Sequence, residues 1–249
     1  MKKIMTLLLC LSLFQISSNA QFGKLKNAAK KAESKLKSAG GDLTSELSTD
    51  EIGKGLKEAL NVGVGKATDF LSAENGYLNS QYKILLPEEA QKVIKKVKRV
   101  PGFEDADVKM TKLLNEAAEK AATKAKPIFV SAIKQMTIKD AMNILMGEKN
   151  AATQYLDKTT RKQLFKEFMP VVQESLDEVN ARTYWTKIAK AYNKISFGKK
   201  VNTELDQHVT DKALDGMFSL VEVKELDIRK NKSARSSDLL TKVFAKQDK

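Results

Sequence analysis

The chain has 249 residues, with 44 basic and 31 acidic side chains, one histidine and one cysteine, and a formal charge of +13. With 6% aromatic residues and four prolines beside abundant alanine, leucine and lysine, its composition favours helix over sheet. One cysteine excludes an internal disulfide and a thiolate zinc site, and excess lysine points to an acidic partner or a solvated helical surface.

Residues 1–20 have the three-part layout of a secretory signal peptide. Lys2 and Lys3 precede the apolar run Ile4–Phe14, and the small residues Ser18 and Ala20 lead to a cleavage point before Gln21. The run is shorter than the ~20 residues a spanning helix needs. Cys10 lies mid-run behind Leu9, the wrong context for lipidation. Cleavage near Ala20 would remove Lys2 and Lys3 and no acid, lowering the formal charge from +13 to +11. The expected location is exported, periplasmic or extracellular.

Residues 21–47 read as a loosely attached basic amphipathic helix and a linker. Phe22, Leu25, Ala28, Ala29, Ala32 and Leu36 fall on one side. Lys24, Lys26, Lys30, Lys31, Lys35 and Lys37 fall on the other, as candidates for docking to an anionic membrane surface. Gly40-Gly41 ends the helix.

Residues 48–249 read as one helical domain. Ser48 and Glu51 form a capping box for a helix that turns Ile52, Leu56, Leu60, Val64 and Leu71 inward. Gly53, Gly55, Gly63 and Gly65 lie within it and predict close approach of another helix. A phosphate loop is excluded, because no strand precedes and no Gly-Lys-Ser/Thr follows. Asn75-Gly76 marks a turn, Tyr82–Leu86 reads as extended, Pro87 opens a helix and Pro101-Gly102 breaks it. Val108, Leu113, Leu114, Ala117 and Ala121 form the next apolar stripe.

Residues 125–146, the most apolar stretch after the leader, read as two short helices of a buried hairpin with a corner at Thr137. Thr137 and Asp140 cap the second helix, and Phe129, Ile133, Met142 and Leu145 are expected in the core. Asn150 can cap one helix, and Thr159 or Thr160 a longer one that Pro170 should kink. Residues 180–195 form another helix, 197–205 a linker, and Thr210–Lys230 the last long helix. Ser236 or Ser237 caps a short terminal one. The fold class is all-α: a single multi-helix domain with short helical hairpins.

The segments GLKEALNVGV, GYLN, LPEEAQKV, AKPIFVSAIKQMTIKDAMNIL, AATQYL, VTDKALDGMF and DLLTKVF occur in this order. Together they resemble a bacterial family catalogued as domain of unknown function 4197, over roughly Leu56 to Phe244. The resemblance implies an exported, all-helical bacterial protein and assigns no catalytic residue.

No motif for a cofactor or a metal is present. His208, the single histidine, has Glu204, Asp206 and Asp211 nearby and reads as a solvated residue at a helix start. Asp140, Glu148 and Asp215 are the carboxylates a hydrolase could use, given a pKa raised by burial. Gln135, Asp140, Asn150, Thr153, Gln154, Tyr155, Lys212 and Asp215 are polar residues set among apolar segments. They are candidates for a structural network or for the polar end of a binding site. The leading expectation is a binding or interaction module of the cell envelope, whose partner is an envelope protein or an apolar ligand. A membrane-surface protein docking through residues 22–38 and a carboxylate-dependent hydrolase are the alternatives. An exported chain is not expected to meet nucleic acid.

Overall fold

The structure, a computed structural model, describes residues 47–195, 205–245 and 248. The expected leader at residues 1–20, the lysine-rich segment 22–38 with its six candidate lysines, and most of the expected 197–205 linker lie outside these residues. The compact unit begins at Leu47. Among the described residues it is all-helical, with nine α-helices and no strand.

These are α1 Thr49–Leu71, α2 Glu88–Val97, α3 Ala106–Ala122, α4 Ala125–Gln135, α5 Ile138–Met146, α6 Ala151–Glu178, α7 Ala181–Ile195, α8 Leu205–Lys230 and α9 Asp238–Phe244. A 3₁₀ turn, Lys232–Ala234, separates the last two. The long helices α6 and α8 pack on each other at the centre. α1 lies on α8, α3 on α6, and α4 and α5 both pack on α1 and α6, while α2 and α7 pair at one side.

Local chemistry explains most boundaries. Ser48 and Glu51 make the reciprocal capping box of α1, and Thr137 and Asp140 make that of α5. Ser237 caps α9 through the Leu240 N–H. The 125–146 stretch is core: Phe129 and Ile133 are fully buried, and the Phe129 ring meets Phe218 of α8 edge-on at 5.6 Å. Leu145 is buried too, but Met142 is only half-buried. The nine-residue α5 turns Ala141, Ile144 and Leu145 inward, which leaves position 142 at the edge of that stripe.

Three other expectations are corrected. Val108 is 70% exposed: the buried stripe of α3 runs through Ala106, Met110, Leu114, Ala117 and Ala121, and position 108 lies opposite it. Neither Thr159 nor Thr160 starts a helix. α6 runs unbroken from Ala151, and both hydroxyls donate back to carbonyls one turn earlier, Tyr155 and Leu156. Pro170 lies inside this helix, where the sequence placed it, and faces solvent. Finally, α8 begins at Leu205, five residues before Thr210, because Leu205 and Val209 are already core residues.

The glycines of α1 are not equivalent. A Cβ on Gly55 would come within 2.5 Å of Val243 Cγ2 and 3.2 Å of Leu239 Cγ, so Gly55 is where α9 seats on α1. At Gly63 the nearest atom, Lys224 Cβ of α8, is at 3.7 Å, and at Gly53 the nearest is at 3.9 Å, both ordinary contacts.

Candidate functional site

The loop between α1 and α2 is the irregular part of the domain, and buried polar groups of other helices hold it. Glu119 of α3 accepts the backbone N–H groups of Asn75, Tyr77 and Leu78 at 3.1, 3.1 and 3.3 Å. Burial pushes the Glu119 carboxyl above its ordinary value, and the three N–H donors only partly offset this. Asn75 takes a positive φ of 62°, and a Cβ on Gly76 would lie 2.2 Å from the Phe70 carbonyl oxygen. Tyr77 is fully buried and donates its hydroxyl to the Ala213 carbonyl of α8 at 2.8 Å. Gly216, one turn on, leaves room for this ring, since a Cβ there would meet Tyr77 at 3.1 Å and Tyr82 at 3.2 Å.

From Lys83 to Pro87 the chain is neither helix nor turn, and Pro87, at φ -56° and ψ 150°, is extended. Exposed Lys83 and Leu85 alternate with buried Ile84 and Leu86, the period-two pattern of a strand. Asn115 of α3, fully buried, accepts the Ile84 N–H at 2.8 Å and donates to the Ile84 carbonyl at 2.9 Å. It thereby stands in for a neighbouring strand. Its amide also donates to the Thr111 carbonyl at 2.7 Å. His208 Nε2 donates to the Leu85 carbonyl at 2.7 Å, and Gln91 donates to the Leu86 carbonyl at 2.6 Å.

This segment divides a groove. Between it and α8 lies a cleft of about 460 Å³, bordered by Tyr82, Lys83, His208, Lys212, Asp215 and Ser219. On its other flank is a recess of about 410 Å³, bordered by Gln91, Ile94, Lys95, Lys98, Asp107 and Thr111. Leu85, 59% exposed, is the ridge between them. Lys98 bonds Asp107 at 2.7 Å and holds that carboxyl below its ordinary range. Arg161 of α6 bridges Asp157 and Asp215 and lies over the Phe218 ring, 4.8 Å from its centroid.

A second buried polar cluster joins α5, α6 and α8. Glu225 accepts the N–H groups of Ala152 and Thr153 at 3.0 and 2.8 Å, and the Thr153 hydroxyl at 2.9 Å. Arg229 pairs with Glu225 and donates to the carbonyls of Ile144 and Leu145. One ion pair of α8 therefore closes the end of α5 and the start of α6. Asn150, expected to cap α6, occupies the cap position without doing so. Its side chain bonds Glu222 and Gln154, and Glu225 takes the orphan N–H groups instead.

The eight polar candidates thus separate into groups. Thr153 enters the Glu225 cluster, with Asn150 and Gln154 at its rim. Lys212 and Asp215, bonded at 3.3 Å, border the cleft. Gln135 is exposed and bonds Ser131, while Asp140 is half-buried in its capping box. Tyr155 is half-buried; burial, then the Asp140 charge, raises its hydroxyl. Capping lowers the Asp140 carboxyl, the opposite of what a general acid needs. His208, read as solvated, anchors the groove.

Asn115, Glu119 and Glu225 carry the site and its support, and the sequence reading missed all three. The available signal was a polar residue on an apolar stripe: Asn115 and Glu119 one turn apart beside Leu114 and Ala118, and Glu225 between Val221 and Ile228. Among the described residues no group of acids and histidine could hold a metal ion, and no helix is long and apolar enough to cross a membrane. An apolar cavity lined by Leu56, Leu60, Val64, Val221 and Phe244 has a volume of about 20 Å³, room for about one water and not for an apolar ligand.

No curated protein and no solved structure matches the chain. A family model described as "Protein of unknown function (DUF4197)" matches residues 46–245, which include every helix described above and both flanks of the groove. The chain belongs to the DUF4197 family.

Proposed function

We propose that the protein is an exported binding module of the bacterial cell envelope, which holds a protein partner in the groove at Leu85. The observation that carries this reading is the exposure of a large apolar side chain on a segment fastened at three successive residues. Asn115, His208 and Gln91 hold the backbone of Ile84, Leu85 and Leu86 while the Leu85 side chain stands free between two recesses. A single exposed leucine on a mobile loop needs no explanation, but one on a segment fastened by the buried Asn115 amide, the His208 imidazole and the Gln91 amide does. The solid core supports protein contact over an apolar ligand.

A photoreactive residue at position 85, in protein expressed with its own leader, tests this reading. It is expected to cross-link one dominant partner, and the same probe at Val223, another exposed apolar position, is not. Equal cross-linking from both positions, or none from 85, would reject the groove as the site.

A second reading, docking to an anionic membrane surface, draws on the sequence of residues 22–38 and on one face of α2. Lys92, Lys95 and Lys96 are exposed there and Arg99 in the turn that follows, with no acid between Glu89 and Glu104. Co-sedimentation with anionic vesicles, with and without residues 21–41, separates the two contributions. If neither form sediments at low salt, this reading fails.

A further inference from the structure

We propose that the cleft between Lys83–Pro87 and α8 takes an extended peptide, which adds as a second strand along the outer edge of Leu85. This rests on the reading of the groove as the partner site and specifies what part of a partner it holds.

In an extended chain the N–H and C=O of one residue point to the same side, and those of the next residue to the other. Asn115 takes both groups of Ile84, so the Ile84 edge faces α3. The Lys83 N–H is spent on the Ser80 carbonyl at 3.2 Å, so the groups on the opposite side, toward α8, are the Lys83 carbonyl and the N–H and carbonyl of Leu85. His208, on α8, reaches the Leu85 carbonyl from that side, which fixes the direction. The Leu85 N–H has no acceptor among the described residues. The edge is thus an open donor at Leu85 beside an open cleft of about 460 Å³, within the range of peptide and small-ligand sites. Backbone pairing of this kind supplies affinity, and side-chain recesses supply selectivity.

Charge narrows the peptide. Arg161 and Lys212 already engage Asp215, whereas Lys83 has no acidic partner among the described residues. Glu88 borders the same cleft and has no basic partner among the described residues, so the lining favours a peptide with a carboxylate that reaches Lys83, a cationic group that reaches Glu88 and an apolar residue that lies against Leu85.

The test uses the full chain as bait for a phage-displayed library of random peptides of about eight residues, enough to run the length of the edge at ~3.3 Å per residue. Enriched peptides are then measured against Leu85→Ala and Leu85→Pro. Both variants lose the leucine side chain, but only proline also removes the N–H. Proline is compatible with the extended backbone, and it keeps the preceding Ile84 extended. Circular dichroism and urea midpoints confirm that both variants fold. Leu85→Pro is expected to bind about tenfold more weakly than Leu85→Ala, the effect of one lost backbone hydrogen bond. Lys83→Glu should weaken the acidic peptides further. If the two Leu85 variants bind alike, the groove recognises side chains alone, and strand addition is overturned while the binding-module reading stands. If no enriched peptide depends on residue 85, the peptide proposal is overturned, and cross-linking at 85 decides the broader reading independently.

Discussion

Asn115 shows how much one buried side chain can organise. It satisfies both backbone groups of Ile84 and ties them to α3, in a place where water cannot substitute. Asn115→Ala leaves two buried polar groups without partners, each costing about 1–3 kcal/mol. A loss of about 2–5 kcal/mol in urea unfolding is expected, together with loss of groove binding. Glu119 makes a different prediction, in pH. Burial raises its carboxyl above the ordinary 4.5. The folded state therefore holds this proton more tightly than the unfolded chain. That contribution to stability is complete below the ordinary carboxyl range and is lost as pH rises through the raised value. Relative to Glu119→Gln, the wild type should lose stability as pH rises from about 4 toward neutrality, as read from urea midpoints. A difference between the two proteins that stays constant with pH would show that Glu119 titrates normally.

At the scale of elements, two glycines of one helix should respond with opposite signs. Gly53→Ala meets only an ordinary contact at 3.9 Å and removes a weak helix former, so it should stabilise by about 0.5–1 kcal/mol. Gly55→Ala places a methyl 2.5 Å from Val243 Cγ2 and must push α9 off α1, so the same helix gain is overturned by about 1–3 kcal/mol of overpacking. Thermal unfolding of the pair checks this. The α4–α5 corner depends on Phe129, whose removal leaves a void against Phe218, and Phe129→Ala should cost about 3–5 kcal/mol by the same measurement. Caps that lie within a few residues of sequence were readable in advance, as at Ser48, Thr137 and Ser237. The start of α6 was not. Its N–H groups are taken by Glu225, more than seventy residues further along the chain.

For the whole molecule, reading residues 1–20 as a cleaved leader predicts that protein recovered from its native cells begins at Gln21. Intact mass spectrometry checks this: a species retaining Met1 or Lys2 would show that the leader is not cleaved there. The sequence by itself determined the helical class, the family, the apolar stripes of α1 and α4, and the local caps, because these depend on residues within one or two turns of each other. It also marked Asn75-Gly76 as a turn and read Tyr82–Leu86 as extended, whereas Tyr82 still belongs to the turn and the irregular piece runs from Lys83 to Pro87. Only the tertiary structure decided which distant groups hold this short piece in place. Its inner face is paired to Asn115, about thirty residues away, its carbonyl to His208, more than a hundred residues away, and its floor opens at Gly216. Each of those three residues has a bland meaning within its own helix, as a polar residue on a stripe, a histidine near a helix start and a weak helix former. They acquire a shared role only because α3 and α8 pack on either side of the loop. Sequence patterns describe which face of a helix is apolar; they do not say which distant backbone groups the few polar residues on that face will meet.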